Sequence, residues 1–294
     1  PDMDGVEATK QIMAYRPTPI LILTASHSRK KNKVFQAISF GALDVLEKTN
    51  FEQDSTGNDG VDDLIEKIKL LSKIKVIRHP LAKLQIKPKP SSLKKIIEGV
   101  SESTTFNNIV VIAASTGGPQ VVASILAKIP PSIPAAILVV QHIARGFDEG
   151  FVEWLSKNCP LEVKIPRDNQ KLEMGTAYVA PTDTHMVIYR EGIIGLTDDA
   201  PCGHFKPSAD VLFESAAKNY GSKTIGVILT GMGKDGVSGI KTIKQLGGRT
   251  IAQNEESCVI YGMPKEAIEA GNIDKVLPPE LIAEAIIDMV SRST

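Results

Sequence analysis

The chain has 294 residues, and its 34 lysines and arginines balance 34 aspartates and glutamates, so no net field recommends nucleic acid or an acidic membrane as its partner. Hydrophobic residues make up 42% and charged residues 23%, the mix of an ordinary folded protein, and the length has room for two domains. No apolar run is long enough to span a bilayer, no secretory leader is evident, and Cys159, Cys202 and Cys258 lack metal-type spacing; these features point to a cytoplasmic protein with packing thiols and no membrane insertion.

The first residues alternate helix and strand. The pattern predicts a helix over 5–15, a short buried strand at 19–25, a helix over 31–40 closed by Gly41, a strand at 44–48 and, after a polar turn at 54–60, a helix over 61–77. Residues 1–78 thus read as half of an α/β unit. Residues 79–105 read as a linker, carrying Pro80, Pro88 and Pro90 and lysines at 83, 87, 89, 94 and 95. No aromatic residues interleave with those lysines, so a solvated spacer fits better than a nucleic-acid contact.

From 106 to 294 the alternation resumes as a second domain. Strands are predicted at 109–114, 135–141, 177–180, 186–190, 193–197, 223–230 and 249–253, and helices at 119–129, 147–157, 208–219, 237–246, 264–270 and 280–291. Helices between buried strands imply an α/β fold with a doubly wound, mainly parallel sheet, and Tyr189-Arg-Glu-Gly192 reads as the turn of one antiparallel hairpin. Ligands of such folds bind beyond the carboxyl ends of the strands.

Three groups stand there. Ser115 follows a β-branched run and precedes Thr116-Gly-Gly-Pro119 and a helix, so its hydroxyl is expected at a tight strand-to-helix turn beside unpaired N–H groups. The glycines are expected to let a substrate carbonyl approach the backbone. His142 follows the run 135–141, and Asp235 lies shortly after the run 224–230. A serine needs a base, imidazole suits that task, and a carboxylate fixes its tautomer. Each also has a plainer reading: a turn residue, a structural imidazole, and a cap for the helix after Asp235. His185 sits at the wrong end of its strand to serve as base, while His204, in a loop, stays in competition. Gly231-Met-Gly-Lys-Asp-Gly236, with Glu255 downstream, also matches a dinucleotide fingerprint, but Asp235 would face pyrophosphate and the reading leaves Ser115 and His142 idle.

With Ser-Thr-Gly-Gly-Pro, Gln141-His142 and Gly-Met-Gly-Lys-Asp-Gly in that order, the chain resembles the bacterial chemotaxis receptor methylesterases over 108–290. Further matching segments are Tyr178-Val-Ala-Pro-Thr-Asp-Thr-His-Met186, Lys206-Pro-Ser-Ala-Asp-Val-Leu-Phe213 and Tyr261-Gly-Met-Pro264. Residues 1–50 resemble the later half of a flavodoxin-like phospho-acceptor receiver, with Thr24 as switch hydroxyl and Lys48 as phosphate-side lysine. The resemblance implies a serine hydrolase that removes glutamate methyl esters from methyl-accepting chemotaxis receptors and deamidates specific glutamines, with Ser115 as nucleophile, His142 as base and Asp235 as its orienter. It implies an oxyanion hole from the N–H groups near Thr116 and Met232, no cofactor for catalysis, and a receiver that covers the cleft until a chemotaxis histidine kinase phosphorylates it. The phospho-acceptor and the acidic pair for Mg2+, which only an intact receiver would bind, are expected ahead of Pro1. Departures from the family pattern are Ala113 for glycine, Phe205 for histidine, Val45 for an aromatic residue and Thr49 for proline. Two other classes remain as alternatives: a docking module without turnover, separable by phosphonate labelling of Ser115, and a dinucleotide binder, separable by cofactor titration.

Overall fold

The computed structural model describes residues 3–24, 31–48, 59–74 and 108–291. Its centre is a run of short, β-branched segments. Strand β3 (Asn108–Ala114) and strand β4 (Ala135–Gln141) are buried at every position. Strands covered on both faces need no polar alternation, which is why both read as continuous apolar runs. They belong to a seven-stranded sheet completed by β5 (Glu162–Lys164), β7 (Thr176–Val179), β10 (Thr224–Ile228), β11 (Arg249–Gln253) and β12 (Lys275–Leu277). The order is β12-β11-β10-β3-β4-β7-β5, and every pairing in it is parallel.

Alternate residues of β3 feed two cores. Val110, Ile112 and Ala114 pack toward α4 (Gly118–Leu126), α5 (Asp148–Asn158) and α9 (Pro279–Ser291). Ile109, Val111 and Ala113 pack toward α6 (Ala209–Tyr220), α7 (Val237–Gln245) and α8 (Met263–Glu269). The expected doubly wound sheet is therefore present. The expected hairpin is β8 (His185–Tyr189) with β9 (Ile193–Thr197), and β6 (Gln170–Lys171) extends it to three strands. Strands β5, β6 and β12 escape the sequence pattern because segments of two or three residues of mixed polarity carry no readable period.

The N-terminal segment contributes α1 (Gly5–Tyr15), β1 (Leu21–Thr24), α2 (Lys31–Ser39), β2 (Asp44–Glu47) and α3 (Asp59–Leu71), with β1 and β2 parallel. Asp4 caps α1, accepting from the Val6 and Glu7 N–H groups. Phe35 of α2 packs against Phe151 and Trp154 of α5, with ring centroids 5.5 and 5.9 Å apart, so the segment shares one core with the main sheet. Helix α3 ends earlier than the predicted residue 77. The expected linker, 79–105, lies outside the described residues, as does Thr49.

Candidate active site

The carboxyl ends of β3, β4 and β10 lie side by side, because β3 pairs with β4 on one flank and β10 on the other. Ser115 extends that ladder, its N–H donating to Thr230 O at 3.0 Å, and the His142 N–H donates to Ala114 O at 2.9 Å. Two strand-end residues thus become neighbours through backbone pairing. The Ser115 carbonyl is held by the Gly118 N–H and by Gln141 Nε2, both at 2.8 Å. Gly117 adopts φ +79°, and a Cβ there would strike Val259; a Cβ at Gly118 would strike Gln141 and Ala114. The two glycines therefore serve the protein's own packing at the turn, which corrects the expectation that they clear space for a substrate carbonyl. Pro119 lies in the first turn of α4, where its missing N–H costs nothing.

Asp235 is brought in from the loop after β10. Gly231 lets that loop approach closely, since a Cβ would lie 2.6 Å from Ser115 Cβ and 2.5 Å from Met263 Sδ. The Asp235 carboxylate bonds His142 Nε2 at 2.8 Å; the two side chains are 2% and 11% exposed. Its other partners come from the start of α6: the Ser208 hydroxyl at 2.7 Å, the Ala209 N–H at 2.7 Å and the Asp210 N–H at 3.1 Å. Asp235 therefore binds the first N–H groups of α6, whose N-cap is Ser208, and does not cap the helix that follows it, whose cap is Gly236 at φ +96°. Burial pushes the carboxyl up, but the His142 hydrogen bond and charge, with the Ala209 and Ser208 donors, outweigh it and hold Asp235 below the ordinary carboxylate range.

The imidazole is thus tied to a carboxylate at Nε2, while its Nδ1 is buried and has no hydrogen-bond partner among the described residues. Ser115 is half-buried and its hydroxyl bonds nothing among the described residues. Ser115, Thr116, His142 and Met232 line one cleft of 640 Å³. The backbone N–H groups of Thr116 and Met232 donate to no protein acceptor among the described residues. The N-terminal segment closes part of the mouth: Asp44, Val45, Leu46, Glu66 and Lys67 line it too. The Thr116 hydroxyl donates to Asp44 Oδ2 at 2.7 Å, Lys67 Nζ lies 3.2 Å from the same oxygen, and the Gly117 N–H donates to Leu43 O at 3.2 Å.

Other sequence candidates fall elsewhere. His185 is buried with Nε2 on Ala200 O and Nδ1 accepting from the Ser208 N–H, so both nitrogens are used by backbone. His204 is exposed at the cleft rim. Thr24 ends β1 and Lys48 follows β2, at neighbouring strand ends but away from the Ser115 cleft. Gly231, Gly233 and Gly236 shape a loop, but the N-terminus of the helix it opens, α7, already holds the Asp210 carboxylate, which accepts from the Gly239 N–H at 2.7 Å, so the dinucleotide reading loses its phosphate site. Cys159 and Cys258 have thiols pushed up by burial, the latter to about 12, and Cys202 is exposed. Sequence reasoning missed Ser208 and the stacking of Phe205 on His142. Ser208 carried a readable signal, a serine opening the helix at Val211-Leu212-Phe213, but nothing local tied it to Asp235.

A serine beside a bonded imidazole–carboxylate pair, at the carboxyl edge of a doubly wound sheet, describes a hydrolase of the α/β class. Comparison with known proteins narrows this. A family model described as CheB methylesterase matches residues 110–286. A protein-glutamate methylesterase/protein-glutamine glutaminase of Anaeromyxobacter dehalogenans is 40% identical over 285 residues, covering 97% of this chain and 81% of that protein. The protein-glutamate methylesterase FrzG of Myxococcus xanthus is 38% identical over 288 residues, covering 98% and 82%. The crystal structure of the Thermotoga maritima CheB methylesterase catalytic domain aligns with a TM-score of 0.60 at 40% identity, covering 62% of this chain and 98% of that one. The chain belongs to the CheB methylesterase family and is a carboxylic ester hydrolase.

Proposed function

We propose that this protein hydrolyses glutamate γ-methyl esters on chemotaxis receptors, and deamidates specific receptor glutamines, by one acyl-transfer mechanism in the cytoplasm. The observation that carries the reading is the His142–Asp235 bond, which commits Nε2 to the carboxylate and leaves Nδ1 free as the base. Ser115 Oγ attacks the γ-carbonyl while His142 Nδ1 takes its proton. Asp235 stabilises the resulting imidazolium. The tetrahedral oxyanion is met by the N–H groups of Thr116 and Met232. The carbon–oxygen bond to methanol then breaks, with the imidazolium returning its proton to the leaving oxygen; for glutamine the leaving group is ammonia. Water, deprotonated by the same imidazole, attacks the glutamyl–Ser115 ester and releases the carboxylate and Ser115. Methanol release from a methylated receptor fragment tests the reading: Ser115→Ala abolishes it together with organophosphonate labelling, and retention of either would sink the proposal.

The N-terminal segment is, in this reading, part of a receiver that restrains the site until a chemotaxis histidine kinase phosphorylates it. The support is local: Asp44 and Leu43 use the Thr116 hydroxyl and the Gly117 N–H, both on the turn that carries Ser115. The acidic trio that Mg2+ would need in a receiver is not gathered among the described residues.

A further inference from the structure

The imidazole of His142 is held in a way that one hydrogen bond does not explain. A ring bonded only at Nε2 is free to pivot about the Nε2···Oδ2 line, swinging Nδ1 away from a neighbouring hydroxyl. Among the described residues no second hydrogen bond prevents this, since Nδ1 has no partner there. What opposes the pivot is a flat apolar surface. The Phe205 ring lies over the imidazole with centroids 4.3 Å apart and planes 12° from parallel. Phe205 is itself fixed, because its N–H and carbonyl exchange hydrogen bonds with Cys202 at 3.2 and 3.1 Å. The next residue, Lys206, pairs with Asp198 at 2.5 Å. Two and three residues further, Ser208 and Ala209 grip Asp235. One short stretch therefore sets the carboxylate position and the plane of the base.

We propose that Phe205 is a positioning residue for the hydrolysis: its face-on contact locks the His142 ring so that Nδ1 points at Ser115 Oγ when substrate is bound. The proposal rests on the assignment of His142 as base. Phe205 also lines the cleft, so a direct substrate contact is the competing role. The two roles separate kinetically. A residue that aims the base changes the chemical step, whereas a substrate contact made equally in ground and transition states changes KM. A small misalignment at the reacting atoms costs about 10–100-fold.

The test uses the full chain and a small ester, N-acetylglutamate γ-methyl ester, with methanol release as readout. Phe205→Leu keeps apolar bulk and removes the flat face; kcat is expected to fall about tenfold or more, with KM within about twofold. Phe205→Tyr restores a planar ring and recovers most of kcat. In proton spectra, the His142 ring resonances carry the upfield displacement of a stacked aromatic face in wild type and in Phe205→Tyr, and lose it in Phe205→Leu. Wild-type kcat in Phe205→Leu, a raised KM at unchanged kcat, or an equal kcat loss in both variants would overturn the proposal. If Phe205→Leu melts too early to assay, the Tyr variant and the wild-type ring resonances still decide: no upfield displacement in wild type means no stack. Retained activity in Ser115→Ala would instead strike the underlying mechanism, independently of Phe205.

Discussion

Asp44 Oδ2 accepts a 2.7 Å hydrogen bond from the hydroxyl of Thr116, the residue directly after Ser115. Both residues are buried, and they are 72 positions apart in the chain. A carboxylate from the N-terminal segment is thereby seated on the turn where the tetrahedral oxyanion would form. In the proposed reaction its negative charge would oppose that oxyanion, and Lys67, 3.2 Å away, would offset it only in part.

Asp44→Asn keeps the shape and the hydrogen-bond acceptor but removes the charge. A charge-assisted hydrogen bond exceeds a neutral one by about 1 kcal/mol, so basal ester hydrolysis should rise about fivefold. Initial rates of methanol release give the comparison. Identical rates would mean that the segment restrains the site by bulk and not by charge.

Ser115→Ala and His142→Ala should each lower kcat by at least about 10³-fold, and the double substitution should be hardly worse, because the groups act as a unit. Asp235→Asn should cost up to about 10⁴-fold through loss of the imidazole's orientation. Multiplying losses in the double variant would show that the two residues do not work on one step.

Ser208→Ala removes a hydroxyl that bonds buried Asp235 and also caps α6 through the Val211 N–H. Both functions should be lost together: about 1–3 kcal/mol of stability and a fall in kcat with little change in KM. Thermal melting and steady-state kinetics on the same preparation measure both. Loss of stability without loss of kcat would confine Ser208 to capping.

Asp210 supplies a pH dependence with a definite sign. Burial, with the nearby Asp235 and Glu214 charges, raises its carboxyl to about 6 against the ordinary 3.8, although the Gly239 and Gly236 N–H groups pull the other way. A raised folded-state value means that ionisation weakens the fold, so the penalty is absent below about pH 4, grows as pH rises, and is complete above about 6. Asp210→Asn, which keeps an acceptor for the Gly239 N–H, should therefore match wild type at pH 3.5. By pH 7.5 it should be about 1–2 kcal/mol more stable, a figure discounted for partial exposure. Denaturant titrations at the two pH values decide it; a gap that does not depend on pH would remove Asp210 titration as the cause.

The positions of Ser115 and His142 were legible because β3 and β4 are buried on both faces, so each appears as a run of six apolar residues, 109–114 and 135–140, close to where the chain must leave the sheet. The parallel architecture followed from helices alternating with such runs, and it placed both residues on one edge. The cap of α6 was visible at Ser208, but its service to Asp235 was not. The glycines of Ser-Thr-Gly-Gly-Pro marked a tight turn correctly, yet what crowds them comes from elsewhere in the chain: Val259 from the loop after β11 and Gln141 from the end of β4.

Local pattern thus determined the strands, the helix starts and the chemical type of each strand-end group, since periodicity and capping depend on neighbours within a few residues. Only the folded chain decided which nitrogen of His142 meets Asp235, that Phe205 covers the ring, and that Asp44 reaches Thr116. Those contacts join residues 63 to 93 positions apart, and a pair so distant leaves no period in the sequence: its geometry exists only once the sheet has aligned its edges.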